Sequence, residues 1–110
     1  QTLIRPAMYG ALHRIEALNN IAKKSIKYTV AGPICESSDI LAKDIILPEQ
    51  RINNYLAIHD TGAYGATMAS NYNSRGIPGE VLVYENKFSI IHQEEKISDI
   101  IKRDLIPDWL

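Results

Sequence analysis

The chain contains 110 residues, with 12 lysines and arginines against 13 aspartates and glutamates, so its formal net charge is -1. This balance lacks the basic excess that binds phosphate backbones, and nucleic acid is therefore not an expected partner. The length favours one domain over residues 1–110 with a single core. No apolar run approaches the roughly 20 residues that span a bilayer, and the start QTLIRP lacks the features of a signal peptide. We expect a soluble, cytoplasmic protein without a membrane partner.

The N-terminal region has the pattern of a helix. It begins with the apolar segment Thr2-Leu3-Ile4, which has no preceding cap, and we therefore expect residue 1 to be a cut point in a longer protein. Apolar residues then recur near helical spacing within residues 8–24, at Leu12, Ile15, Ala17, Leu18 and Ile21. This periodicity predicts a helix, which Gly10 weakens in its first turn.

Strand patterns dominate the middle of the chain. In SIKYTVAGPI, residues 25–34, isoleucine, tyrosine and valine alternate with polar residues, which predicts a half-buried strand ended by Gly-Pro. ILAKDIILP, residues 40–48, predicts a second strand ended by proline. After a polar loop, YLAIHDTGAYG, residues 55–65, predicts a third strand that runs into glycine.

The C-terminal third combines the signals of a hairpin and a helix. EVLVYENKFSIIHQEE, residues 80–95, holds two β-rich runs joined at residues 85–87, where Asn86 tolerates the positive φ of a tight turn. In residues 96–110, Ser98 or Asp99 can cap a helix that Pro107 would end. Its apolar face would comprise Ile97, Ile100, Ile101 and Leu105. Together the elements predict a mainly β fold with short flanking helices, arranged as a β-barrel or sandwich.

Three motifs, read together, resemble one family: RPAMYGALH at 5–13, GPICESSD at 32–39 and DTGAYGATMASNYNSR at 60–75. In order and spacing they are similar to the C-terminal part of the diaminopimelate decarboxylases, which belong to the alanine-racemase-like, fold type III, pyridoxal 5'-phosphate enzymes. The resemblance covers nearly the whole chain, although Gly79 and the shortened loop at 50–54 depart from the pattern. It implies a C-terminal β-domain cut from a longer two-domain enzyme.

The resemblance also implies what the chain does not supply. The family's cofactor-binding lysine and most of its cofactor pocket lie in an N-terminal (β/α)8 barrel, which these 110 residues do not include. Lys23 and Lys24 lie in polar contexts and match no such motif. By itself the chain is therefore expected to be inactive. Its role would be to close the active site from the β-domain side, partly across the interface of a homodimer.

The matching motif positions imply roles for five residues. Arg5 and Tyr9 would hold the substrate carboxylate, since a guanidinium fork matches a carboxylate and a phenol adds a donor. Cys35 would protonate the carbanion left by decarboxylation in the partner subunit's active site. Glu36 would bind the amino group at the far end of the substrate, a position where ornithine decarboxylases tend to carry aspartate. Tyr64 would contact the cofactor, with its hydroxyl near the phosphate, and would also belong to the substrate-binding residues.

Taken without the family, these residues have simpler interpretations, which include a surface arginine, a small buried cysteine and a core tyrosine at the end of a strand. Ser37, Ser38 and Asp39 would organise the turn after the cysteine. His13, His59 and His92 have no metal-ligand spacing and are interpreted as structural or surface residues, and a single cysteine excludes an internal disulfide or a usual structural zinc site.

Two hypotheses of different classes follow. In the first, the chain is the C-terminal domain of an enzyme that decarboxylates meso-2,6-diaminopimelate to L-lysine in lysine biosynthesis. In the second, it is a stand-alone binding or dimerisation module without catalysis. Within the first, a decarboxylase of a related amino acid is the closer rival, and Glu36 is the residue that favours diaminopimelate.

Overall fold

The computed structural model describes residues 1–18 and 23–110. Along these residues the chain forms short helices and strands in the order α1 (Arg5–Tyr9), β1 (Ile15–Ala17), β2 (Ser25–Ala31), β3 (Ile40–Pro48), β4 (Leu56–Ile58), α2 (Gly62–Met68), a 3₁₀ helix (Tyr72–Ser74), β5 (Glu80–Tyr84), β6 (Lys87–His92) and α3 (Ile97–Ile101). The predicted mainly β class with short helices is confirmed. No helix in this part of the chain is long and apolar enough to cross a bilayer.

The described residues fall into two compact units. The larger unit comprises Leu3–Ala69, and the smaller unit comprises Gln1–Thr2 with Ser70–Leu110. The larger unit contains the antiparallel pairs β1–β4 and β2–β3, and the smaller unit contains the antiparallel pair β5–β6. All three predicted motifs begin in the larger unit. The expectation of one domain over residues 1–110 stays a prediction.

The β2–β3 pair is the more extensive of the two strand pairs in the larger unit. Along β2, half-buried and exposed residues alternate as predicted. Ile26 lies opposite Leu47, which is only 5% exposed. Leu3 and Ile34, at 5% and 9% exposure, are the other buried apolar residues among the described positions. The pairing shifts register next to Tyr28, which adds twist where the ladder approaches the turn between the two strands.

The long N-terminal helix predicted over residues 8–24 is wrong for the described part of that segment. Helix α1 covers only Arg5–Tyr9, because Gly10 adopts the left-handed conformation (φ 63°) and its N–H bonds back to the carbonyl of Pro6 at 3.0 Å. Strand β1 then pairs with β4. Long-range pairing thus overrides the local helical spacing. Ile21, also assigned to that helix, lies outside the described residues.

The strand predicted over residues 55–65 is also wrong in its second half. Strand β4 ends at Ile58, and Asp60 follows with a positive φ of 58°, which breaks the extended backbone. The chain then enters α2, in which the N–H of Gly65 bonds to the carbonyl of Thr61. This change moves Tyr64 from the predicted strand end onto a helix.

The hairpin in the smaller unit is confirmed, with Tyr84 opposite Lys87 at its end. The positive φ of the turn lies at Glu85 (52°), however, rather than at Asn86. Helix α3 is confirmed but shorter than predicted. It begins after Lys96, whose N–H bonds to the Asp99 carboxylate at 3.1 Å, and it ends at Ile101, before Leu105 and Pro107.

Candidate functional site

Two of the predicted site residues, Arg5 and Tyr64, are in contact. Arg5 is the first residue of α1, where the following proline suits the opening turn, and Tyr64 lies in the first turn of α2. The guanidinium carbon of Arg5 lies 4.7 Å from the centre of the Tyr64 ring, within the range of a cation–π interaction. Arg5 is half-buried and Tyr64 is 58% exposed. The contact therefore presents a cation and a phenol together at the surface of the larger unit.

Tyr9 lies on the same helix as Arg5. It is the last residue of α1, four positions after Arg5, and residues at this spacing share one face of a helix. The Tyr9 side chain is 65% exposed, so its hydroxyl is accessible. Helix α1 thus carries a guanidinium and a second phenol on one face.

Cys35 and Glu36 lie in residues 32–39, which we call the cysteine turn. The turn joins β2 to β3, and both residues are exposed at the end of this ladder. The N–H of Gly32 bonds to the carbonyl of Asp39 at 2.8 Å, which continues the strand pairing into the base of the turn. Within it, the N–H of Glu36 bonds to the carbonyl of Ile34 at 2.8 Å. The antiparallel sheet therefore carries the thiol and the carboxylate as neighbours on one tight turn.

The Glu36 carboxylate is held by its own turn. Its Oε1 accepts the N–H of Ser38 at 3.2 Å and the hydroxyl of Ser37 at 3.0 Å. These bonds, the Ser38 N–H first, hold the pKa of Glu36 below its ordinary value. The group is thus kept ionised and oriented, which suits an acceptor for an ammonium ion.

The buried side chain of Asp39 closes the cysteine turn with a hydrogen bond. Its side chain is 3% exposed, and its Oδ2 accepts the N–H of Ile34 at 2.9 Å. With the two serine contacts to Glu36, this bond confirms the prediction that Ser37, Ser38 and Asp39 organise the turn. The burial of Asp39 was not predicted, because the side chains of a run of short polar residues are expected to be exposed to solvent.

A cavity of about 350 Å³ lies between α1 and β3 in the larger unit. Its walls include Pro6, Ala7 and Gly10 from the α1 segment, Ser37 from the cysteine turn and Ile40 from β3. Among the described residues, the walls are formed by neighbours of the predicted site residues rather than by those residues themselves. The helix that carries Arg5 and Tyr9 and the turn that carries Cys35 and Glu36 thus border one cavity.

Two histidines have structural partners, as predicted. His13 Nδ1 lies 3.0 Å from the carbonyl of His59, and His59 Nδ1 accepts the guanidinium of Arg14 at 2.9 Å. His59 Nε2 lies 3.2 Å from the carboxylate of Glu16. These contacts join β1 to the end of β4.

Comparison with known proteins connects this geometry to a family. A family model described as "Pyridoxal-dependent decarboxylase, C-terminal sheet domain" matches residues 1–62. The chain is 45% identical over 98% of its length to a diaminopimelate decarboxylase of Archaeoglobus fulgidus, and 45% identical over 96% to one of Methanothermobacter thermautotrophicus. It spans about a quarter of the length of these curated relatives, 26% and 25%.

A solved structure shows the same relationship. The chain matches the crystal structure of diaminopimelate decarboxylase from M. jannaschii in complex with L-lysine with a TM-score of 0.92 and 38% identity. The match covers 99% of this chain and 25% of that structure. This chain belongs to the pyridoxal-dependent decarboxylase family, of which it is a C-terminal sheet domain.

Proposed function

We propose that this chain is the C-terminal domain of a diaminopimelate decarboxylase, which converts meso-2,6-diaminopimelate to L-lysine and carbon dioxide. The observation that carries the proposal is the similarity to diaminopimelate decarboxylases across nearly the whole chain. The relative solved with L-lysine bound supports lysine as the product. The complete enzyme would be a cytoplasmic homodimer in which this domain follows a (β/α)8 barrel.

The α1 residues would bind the reacting end of the substrate. Arg5 and Tyr9 share one helical face and supply a planar cation and a hydroxyl donor, a set that fits an amino-acid carboxylate. The Tyr64 ring against the guanidinium limits how far Arg5 can swing. Their part is to orient the substrate, which lowers the barrier without any covalent step on this chain.

The cysteine turn would bind the far end of the substrate and donate a proton to the product. Glu36, kept ionised by its bonds to Ser37 and Ser38, would pair with the ammonium at the far end of diaminopimelate. Cys35 Sγ would give its proton to the carbon from which carbon dioxide has departed. Because both residues are exposed on this chain, their ligand would lie against the surface of the turn, in a site completed by a second subunit.

The residues of α2 fit the anionic end of pyridoxal phosphate. The Tyr64 hydroxyl is an accessible donor, and the space beside Gly62 is open, with nothing within 4 Å of where a Cβ would stand. When bound, the cofactor supplies an electron sink for the bond that releases carbon dioxide. Tyr64 would hold its phosphate, and the lysine that binds its aldehyde would come from the barrel.

The apolar surface of the smaller unit supports burial against further protein. Leu82, Val83 and Tyr84 of β5 and Phe88 of β6 are all more than half exposed, so both faces of this two-stranded ribbon carry apolar side chains. A lone two-stranded ribbon is marginally stable in water. We propose that the barrel domain, a second subunit or both cover this ribbon in the complete enzyme.

The proposal is tested by Cys35→Ala and Glu36→Asp in the complete enzyme, with exposed Glu94→Asp as the matched control for the second change. We expect Cys35→Ala to lower turnover by about 100-fold or more, the scale of a lost proton donor, and to leave cofactor absorbance unchanged. Glu36→Asp should lower kcat/KM for meso-diaminopimelate, whereas Glu94→Asp should not. Full activity of Cys35→Ala would refute the role of the thiol, and unchanged kcat/KM in Glu36→Asp would refute Glu36 as the substrate-reading residue.

A further inference from the structure

We propose that Asp39 is a positioning residue, which sets the place of Cys35 and Glu36 by holding the cysteine turn in one conformation. The inference rests on the proposed function, since Cys35 and Glu36 are the residues whose position matters. Asp39 itself is buried and is not proposed to touch substrate or cofactor.

Asp39 is bonded to three other residues of the turn. Its Oδ2 accepts the N–H of Ile34 at 2.9 Å, its carbonyl accepts the N–H of Gly32 at 2.8 Å, and its own N–H bonds to the carbonyl of Glu36 at 3.0 Å. These partners lie on both sides of Cys35. The backbone that carries the thiol is therefore tied down immediately before it and immediately after it.

The bond between the Asp39 carboxylate and the Ile34 N–H joins two buried residues. Ile34 is 9% exposed and Asp39 is 3% exposed, so water does not readily take over the bond between them. A buried N–H that loses its acceptor favours a rearrangement of the backbone that restores one. Loss of the Asp39 carboxylate should therefore move Ile34 and, with it, the adjacent Cys35.

Gly32 provides the space in which this carboxylate lies. A Cβ built on Gly32 would stand within 3.0 Å of the Asp39 carboxylate, closer than side-chain atoms pack. The φ of Gly32 is not in the left-handed region, so the requirement for glycine is steric. Gly32→Ala should therefore push the carboxylate away from Ile34, and a second, independent substitution should produce the same defect as removal of Asp39.

The size of the effect follows from the role. A displacement of about 1 Å at a reacting group can cost about 100-fold in rate. We expect Asp39→Ala to lower kcat for meso-diaminopimelate by about 10- to 100-fold. Asp39→Asn keeps an oxygen acceptor at the same reach and should stay within about threefold of the parent enzyme. The exposed Asp104→Ala is the control for loss of an aspartate elsewhere.

The experiment combines kinetics with hydrogen exchange in the complete enzyme. Carbon dioxide release gives kcat and KM for the parent, Asp39→Ala, Asp39→Asn, Gly32→Ala, the Gly32→Ala/Asp39→Ala double variant and Asp104→Ala. Hydrogen exchange of the peptide that spans the cysteine turn reports the Ile34 N–H independently of activity. Asp39→Ala and Gly32→Ala should raise this exchange at least about tenfold, and the double variant should be no worse than either single change, because both remove one bond.

The outcomes separate the inference from the proposed function. Faster exchange and lower kcat in Asp39→Ala, with both restored in Asp39→Asn, is the predicted result. Unchanged exchange in Asp39→Ala, or faster exchange with unchanged kcat, would overturn the positioning role. Equal damage in Asp39→Asn would overturn it too, by assigning the effect to charge. An inactive parent enzyme would contradict the proposed function. The exchange data would still test whether the Asp39 carboxylate holds the Ile34 N–H.

Discussion

The contact between Arg5 and Tyr64 leads to a prediction that separates binding from stability. Arg5→Lys keeps the positive charge at the start of α1 but removes the planar fork and its stacking on the ring. Because Arg5 is half-buried and Tyr64 is 58% exposed, loss of the cation–π contact should cost only about 0.5–1 kcal/mol of folding free energy. Arginine and lysine have similar helix propensities, so α1 itself should persist.

Substrate binding should suffer more than stability. A charge-assisted hydrogen bond is worth about 1.5–3 kcal/mol, which corresponds to about a 10- to 150-fold loss of affinity when the bidentate pair is lost. We therefore expect the complete enzyme with Arg5→Lys to show KM for meso-diaminopimelate raised about 10-fold or more, with a small shift in its thermal unfolding. Arg51→Lys, at an exposed loop position, is the matched control. A KM that is unchanged in Arg5→Lys, or raised equally in Arg51→Lys, would refute the assignment of Arg5 to the carboxylate.

Three further substitutions test the fold and the turn, each against a control variant. Leu47→Ala removes a side chain that is 5% exposed and should lower the free energy of unfolding, measured by urea titration, by about 2–5 kcal/mol. Ile46→Ala, at a position that is 71% exposed, should change it by far less. Equal losses in the two variants would contradict the burial of Leu47. Ser37→Ala removes a bond that lowers the Glu36 pKa, so as pH falls the carboxylate should protonate at a higher pH than in the parent. Ser38→Ala keeps its backbone N–H donor, so the fall of kcat/KM at acid pH should occur at the same pH as in the parent. If the parent, Ser37→Ala and Ser38→Ala all lose kcat/KM at the same acid pH, the effect of the Ser37 hydroxyl on Glu36 is refuted. Gly10→Ala should destabilise the chain by about 1–2 kcal/mol because φ is 63° there, while Gly62→Ala should be neutral or stabilising; a harmless Gly10→Ala would refute the left-handed end of α1.

Much of the β-structure was predictable because its signals are local. Alternation in residues 25–31 and the apolar run in residues 40–48 define β2 and β3, and two β-rich runs around a short turn define the hairpin. The helix over residues 8–24 failed because its spacing resembles a helix while the pairing of Ile15–Ala17 with β4 depends on residues far along the chain. Helix α2 was missed because the apolar run that precedes it predicts a strand that continues into Gly62 and Gly65.

In the candidate site, features within one sequence motif were predictable, whereas contacts between separate motifs were not. The motifs predict site roles for Arg5, Tyr9, Cys35, Glu36 and Tyr64, and these roles stay predictions. The turn chemistry of residues 37–39 followed from their short polar side chains. The contact of Arg5 with Tyr64 joins two separate motifs and is visible only in the fold. The buried Asp39 was likewise hidden, because its burial depends on the space above Gly32.

The measurement that tests the central claim most directly is carbon dioxide release from meso-diaminopimelate with added pyridoxal phosphate. It would compare this chain alone, the (β/α)8 barrel that we propose precedes it, and the two together. We predict activity only when both are present, because this chain would supply Arg5, Tyr9, Cys35, Glu36 and Tyr64 and the barrel would supply the cofactor-binding lysine. Activity of this chain alone, or of the barrel alone at the level of the mixture, would contradict the account.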